Sequence, residues 1–207
     1  IDVPHEISPN FPAETDYWVR RFGYVPKDNE VLSMTIGQGP LNMTAIKLAH
    51  IYSALVKEDG SVPAPRLAMN MDAQRDTFHF NLDAREVWYL EAGMRRVLGP
   101  GGTAALSRLQ DFELIGKTGT AQAPVGRDHA WFVGMGRPFN GEFEIAITMF
   151  LEHAEHGYTA SGYVAEAINF YLSRKYGKDF QMYGTPRLRF ANNLPVNWNF
   201  SAPVVDP

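Results

Sequence analysis

Phe112-Glu113-Leu114-Ile115-Gly116-Lys117-Thr118-Gly119-Thr120-Ala121-Gln122 is the stretch on which the fold of this chain turns. Its first half, Phe112 to Lys117, reads as a strand that carries the glycine- and threonine-rich half at its end. Working outward, Ala130 to Met135 and Phe143 to Leu151 read as two further strands. The turn residues Pro138-Phe139-Asn140-Gly141 between them predict an antiparallel hairpin. A helix is expected from about Ala160 to Lys175, with Tyr163, Ala167, Ile168, Tyr171 and Leu172 along it.

Upstream of the strand the period is helical. Asp83 and Glu86 form a capping-box pattern ahead of Val87, Leu90, Met94, Val97 and Leu98, and Gly99-Pro100-Gly101-Gly102 stops the helix. A short helical piece is expected from Thr103 to Arg108. Thr44 reads as the N-cap of an earlier helix, from about Ala45 to Lys57, whose Ile46, Ala49, Tyr52, Leu55 and Val56 share a face. Ile36-Gly37-Gln38-Gly39-Pro40 reads as a loop, and Ile1 to Asn29 as irregular chain pinned by Trp18, Phe22 and Tyr24. The order of helices, then three strands, then a helix predicts an α/β protein of the α+β type, an antiparallel sheet with helices packed on it. Residues after Gly177 are rich in Pro and Asn and read as a tail.

The chemistry lies in Gly116 to Gln122. Lys117 supplies a positive charge flanked by the hydroxyls of Thr118 and Thr120, and Gly119 lets another backbone approach the strand closely. These groups suit an extended peptide ending in a carboxylate, bound by strand addition. A phosphate loop also ends in Gly-Lys-Thr, but it needs a glycine where Asp111 stands, and here the triad continues a strand instead of opening a helix. Standing alone, Lys-Thr-Gly would be read as an ordinary edge strand with a solvated lysine.

Composition narrows the classes. The 207 residues are 45% hydrophobic and 20% charged, with a net charge of -4, which is globular and gives nucleic acid no basic patch. No cysteine is present, so disulfides and thiolate metal sites are excluded. No apolar run approaches the roughly 20 residues that span a bilayer, and the opening residues from Ile1 do not have the pattern of a signal peptide. His153-Ala154-Glu155-His156 does not match a known metal pattern, and no metal or cofactor is expected. Trp18, Trp88, Trp131 and Trp198 read as packing aromatics, and His129 as structural.

In this context Lys117-Thr118-Gly119 resembles the third motif of the serine acyltransferases that include penicillin-binding proteins and β-lactamases. Gly116 to Gln122 is similar to the extended form of that motif in the class B penicillin-binding proteins. His129-Ala130-Trp131-Phe132-Val133-Gly134 resembles the strand that follows it there, and Ser33 to Gly39 the segment that precedes it. Ile1-Asp2-Val3-Pro4-His5-Glu6 resembles the family's Ile-Asp-Leu-Pro-x-Glu stretch. The Ile-Gly-Gln-Gly form is closer to elongation-type members than to division-type ones. The likeness is collinear over roughly Ile1 to Lys175; it departs at Thr44-Ala45-Ile46-Lys47, where the family has Thr-Pro-Leu-Gln, and after Gly177.

The resemblance implies a penicillin-binding/serine β-lactamase-like transpeptidase domain, with residues 1–176 its C-terminal portion and 177–207 an extension. It implies a D,D-transpeptidase that cross-links peptidoglycan stem peptides and is acylated by β-lactams. Lys117 and Thr120 are then catalytic: Lys117 tunes proton transfer, and the Thr120 N–H is one oxyanion donor. Thr118, Gly119, Thr120 and Gln122 are then substrate-binding, the Thr118 and Thr120 hydroxyls holding the terminal carboxylate. The family also uses Ser-x-x-Lys and Ser-x-Asn motifs. No serine here has a lysine three residues on, and Ser8-Pro9-Asn10 lies on the wrong side of the Ile-Asp-Val-Pro stretch to be the second motif. The chain alone is therefore expected to be inactive. Its implied partners are the missing N-terminal part of the same domain and cell-elongation proteins, and its implied place is the periplasmic face of the cytoplasmic membrane, reached through an absent N-terminal anchor. A serine β-lactamase-like hydrolase and a non-catalytic scaffold of cell-wall synthesis are the alternatives.

Overall fold

The computed structural model describes residues 14–57, 60–67 and 77–179. The Ile1 to Glu6 stretch, Ser8-Pro9-Asn10, Trp198 and nearly all of the expected tail lie outside the described residues. The element order is α1 (Thr15–Phe22), α2 (Asp28–Thr35), α3 (Ala45–Leu55), β1 (Ser61–Pro63), β2 (Thr77–His79), α4 (Ala84–Val97), a 3-10 turn (Ala105–Ser107), β3 (Phe112–Ala121), β4 (His129–Pro138), β5 (Ile145–Leu151) and α5 (Gly157–Lys175).

The main sheet is antiparallel in the order β3-β4-β5, as the alternation and turn residues predict. Asn140 closes the β4–β5 hairpin in the left-handed region, and the Gly141 N–H donates to the Pro138 carbonyl at 3.0 Å. β1 and β2 form a separate two-stranded ribbon. α4 starts on the expected capping box: the Asp83 carboxylate accepts from the Arg85 and Glu86 amides at 2.8 Å, and Glu86 accepts from the Asp83 amide at 2.9 Å. Thr44 caps α3 by accepting from the Lys47 amide at 3.2 Å.

The sheet is covered on both faces, and the pleat decides which residues go where. On one face Phe112, Leu114, Ala130 and Phe132 pack against Ala160, Val164, Ile168 and Leu172 of α5. On the other, Ile115 and Met135 meet Leu55 of α3 and Met94 of α4. Helix and strand approach closely because β4 carries glycines beneath α5: a Cβ on Gly136 would lie 2.3 Å from Ile168 Cγ2, and one on Gly134 would lie 2.7 Å from Val164 Cγ1. A buried 2.7 Å hydrogen bond between Ser107 and Ser161 hydroxyls ties the turn after α4 to α5.

Two expectations need correction. The opening is not irregular from residue 14 onward, because Thr15–Phe22 is a helix that buries Trp18 against Phe22 and Tyr24. A second unforeseen helix, Asp28–Thr35, has acids in its first turn, and Glu30 accepts from the Lys27 amide at 2.9 Å. The element bounds also shift: β3 runs on to Ala121, β5 starts at Ile145 and α5 starts at Gly157.

Candidate functional site

Lys117, Thr118, Gly119 and Thr120 lie at the C-terminal end of β3, paired with Val133, Phe132, Trp131 and Ala130 of β4. β3 is the first strand of its sheet among the described residues, so its other long side is an open edge. Backbone polar groups of alternate residues point to opposite sides of a strand, and two contacts show which residues face outward here. The Thr120 carbonyl accepts from Gln38 Nε2 at 2.9 Å, and the Thr118 carbonyl accepts from Lys117 Nζ at 2.6 Å. Thr118 and Thr120 therefore present their backbone groups to the open edge, and Gly119 turns toward β4.

The edge is held from behind and from both flanks. Behind it, the start of α5 rests on the strand: a Cβ on Gly157 would lie 2.5 Å from the Gly119 carbonyl oxygen and 2.8 Å from that of Trp131. No side chain fits there, and the strand is backed directly by helix backbone. On one flank Gly37 and Gly39, both at positive φ, bend the loop that carries Gln38 across to Thr120. On the other flank the Thr103 hydroxyl lies 2.9 Å from the Thr118 hydroxyl.

Lys117 is exposed and Thr118 half-buried, while Gln122, placed just past β3, is exposed. The structure thus brings Lys117, Thr118, Gly119 and Thr120 together on one stretch of edge and leaves Gln122 at its exit. Gln38 and Thr103 are not among the candidates from the sequence. The glycines around Gln38 were a legible sign of a shaped loop, but a contact 82 residues away was not. Thr103 follows a helix-stopping glycine run and carries no local signal of its own.

The loop between β3 and β4 is clamped by the turn after β5. The Glu155 amide donates to the Asp128 carbonyl at 2.8 Å, Arg127 and Glu155 pair at 3.3 Å, and the His153 amide donates to His129 Nδ1 at 3.1 Å. His153 is thus a loop-holding residue, and His129 stacks edge-on against Phe150, in keeping with a structural role.

At the foot of β3, Glu113 accepts from Arg95 of α4 at 2.5 Å and from Arg137 of β4 at 2.6 Å. Burial pushes its carboxyl up, but the hydrogen bonds and charges of the two guanidiniums outweigh this and hold it below the usual value. A cleft lined by Val56, Lys57, Glu91, Arg137 and Phe143 opens at this same end. It lies four residues along the strand from Lys117, about 13 Å away at the usual strand rise, and although it has a lysine of its own, Lys57, no serine or threonine hydroxyl lines it.

This edge, with its lysine, two threonines and bare glycine, sits in a chain whose residues 10–170 match the family model "Penicillin binding protein transpeptidase domain", and the chain belongs to that family. Within it the likeness is to penicillin-binding protein 2. The structure is similar to that of Pseudomonas aeruginosa penicillin-binding protein 2, with TM-score 0.72 and 29% identity over 89% of this chain and 43% of that one. It is also similar to Helicobacter pylori penicillin-binding protein 2, with TM-score 0.69 and 27% identity over 84% of this chain and 32% of that one. A structure of the Helicobacter protein in complex with MreC matches with TM-score 0.70 and 26% identity over 84% of this chain. The chain therefore spans less than half the length of these relatives. A comparison with curated proteins finds no match.

Proposed function

We propose that this chain is the substrate-binding part of a peptidoglycan D,D-transpeptidase. The open outer edge of β3, with Thr118 and Thr120 facing outward beside Lys117, carries the reading. An extended stem-peptide terminus adds to that edge as a further strand. Lys117 neutralises its carboxylate, the Thr118 and Thr120 hydroxyls donate to it, and Gly119 and Gln122 shape the approach. Gln38 and the Lys117 ammonium, now on the two outward carbonyls, give way to the ligand's own amide groups.

In the reaction a serine outside this sequence attacks the penultimate D-Ala carbonyl, and the carbonyl π electrons pass to the oxygen. The Thr120 N–H donates to that oxyanion. As its electron pair re-forms the carbonyl the C–N bond breaks, and D-Ala leaves with the proton the serine gave up. A second stem's amine later displaces the serine, its proton returning to the serine oxygen. Lys117 keeps the potential positive where the negative charge develops. Residues 1–176 supply the strand and its supports, 177–207 form an extension, and the remainder of the same domain supplies the Ser-x-x-Lys and Ser-x-Asn motifs. β-Lactams enter by the same edge. The similarity to a Helicobacter protein seen in complex with MreC supports cell-elongation proteins as partners, and a transpeptidase of peptidoglycan would work in the cell envelope, on the outer face of the cytoplasmic membrane.

The test is fluorescent penicillin followed by a denaturing gel and an intact-mass spectrum. Label on the polypeptide that carries the upstream serine, and none on this chain by itself, is expected. Label on the isolated 207-residue chain would show that its own residues supply the nucleophile.

A further inference from the structure

The geometry points to Thr103 as a positioning residue that orients the Thr118 hydroxyl for the ligand's carboxylate, an assignment that rests on the transpeptidase reading. The two hydroxyl oxygens lie 2.9 Å apart, and each hydroxyl has one proton to give. If Thr118 donates to Thr103, it presents only lone pairs to an approaching anion and repels it. If Thr103 donates to Thr118, the Thr118 proton stays free to point at the carboxylate, and the bond it forms there is strengthened by the one it accepts. An anion on the edge therefore selects the second arrangement.

Thr103 can do this because its backbone is fixed. Gly101 turns the chain at φ 75°, and Gly102 presses against the end of α4 so tightly that a Cβ would lie 2.3 Å from the carbonyl oxygens of Arg96 and Val97. On the other side the Ala104 amide donates to the Val97 carbonyl at 2.9 Å, and Ala104 itself is buried. With anchored neighbours on both sides, the threonine between them is aimed at β3. The glycine run therefore does more than end a helix: it delivers a second hydroxyl to the carboxylate-binding strand.

The experiment compares acylation of the complete protein by a β-lactam acid and by the methyl ester of the same compound, in wild type, Thr103→Val and Thr103→Ser. Thr103→Val keeps the shape and removes the proton, and should lower the second-order acylation rate for the acid about fivefold, the usual worth of one hydrogen bond. The ester rate should be unchanged, so the acid-to-ester ratio falls. Thr103→Ser should restore the ratio. Adding Thr103→Val to Thr118→Val should cost nothing further, because Thr103 acts only through Thr118. Equal losses for acid and ester, or no loss at all, would overturn the assignment while leaving the transpeptidase reading intact. A wild-type protein that neither compound acylates would overturn that reading and this assignment with it.

Discussion

Thr118 and Gly157 show how much of this site rests on single residues. Thr118 joins the outward backbone edge and the hydroxyl pair with Thr103; on the proposed reading Thr118→Val removes a charge-assisted hydrogen bond to the ligand while leaving the fold intact. Acylation efficiency of the complete protein should fall about 10- to 100-fold, with melting temperature unchanged. Gly157 acts from behind. An alanine there would set its Cβ 2.5 Å from the Gly119 oxygen and 2.7 Å from the Gly119 nitrogen, both backbone atoms that cannot swing aside. Gly157→Ala should cost about 2 kcal/mol of stability in denaturant titration, the usual cost of overpacking. On the proposed reading it should also slow acylation, because the strand that moves is the proposed ligand edge. The sequence made Lys117, Thr118 and Thr120 legible since they lie side by side, whereas the Thr103 and Gly157 contacts exist only once α4 and α5 are docked.

At the scale of elements, β3 is held at its foot by charge. Glu113 joins α4 to β3 and β4 through Arg95 and Arg137, and Arg137 also lies 4.3 Å from the Phe143 ring centroid. Because the folded carboxyl titrates below its ordinary value of 4.5, its contribution is full above that pH and is lost as pH falls through the lower folded value. Glu113→Gln should lower stability at pH 7 by about 2 kcal/mol. It should also flatten the acid limb of the stability profile below about pH 4.5, as read by thermal melts across pH. A variant whose acid limb matched the wild type would place the pH sensitivity elsewhere.

The elements that announced themselves did so through local chemistry: the Asp83 and Glu86 capping box, the Thr44 cap, and the alternation of β3 to β5 broken by Asn140-Gly141. α1 stayed hidden because Glu14 gives it no side-chain cap and Trp18 is the one residue it buries. α2 carries a local signal in Asp28 and Glu30 of its first turn, but it is only eight residues long and gives way at once to the glycine loop beyond Ile36.

At the scale of the whole molecule the three-stranded sheet has two outer edges, β3 and β5, among the described residues. On the proposed reading, ligand completes one and the rest of the domain meets the other. Unpaired edges template association. The 207-residue chain purified alone should therefore self-associate in size-exclusion chromatography with light scattering, and co-expression with the upstream part should yield a single defined species. A monodisperse monomer of the isolated chain would show that its edges are closed by other means.

If ligand adds to the outer edge of β3, amide hydrogen exchange of the complete protein with and without a bound β-lactam will register it at individual strand amides. Thr118 and Thr120 face the open edge and Gly119 faces β4. Exchange should slow at Thr120, the proposed oxyanion donor, and at Thr118, with Gly119 unchanged because it is already paired. Protection confined to the cleft around Val56, Arg137 and Phe143, with the β3 amides untouched, would contradict ligand addition at this edge.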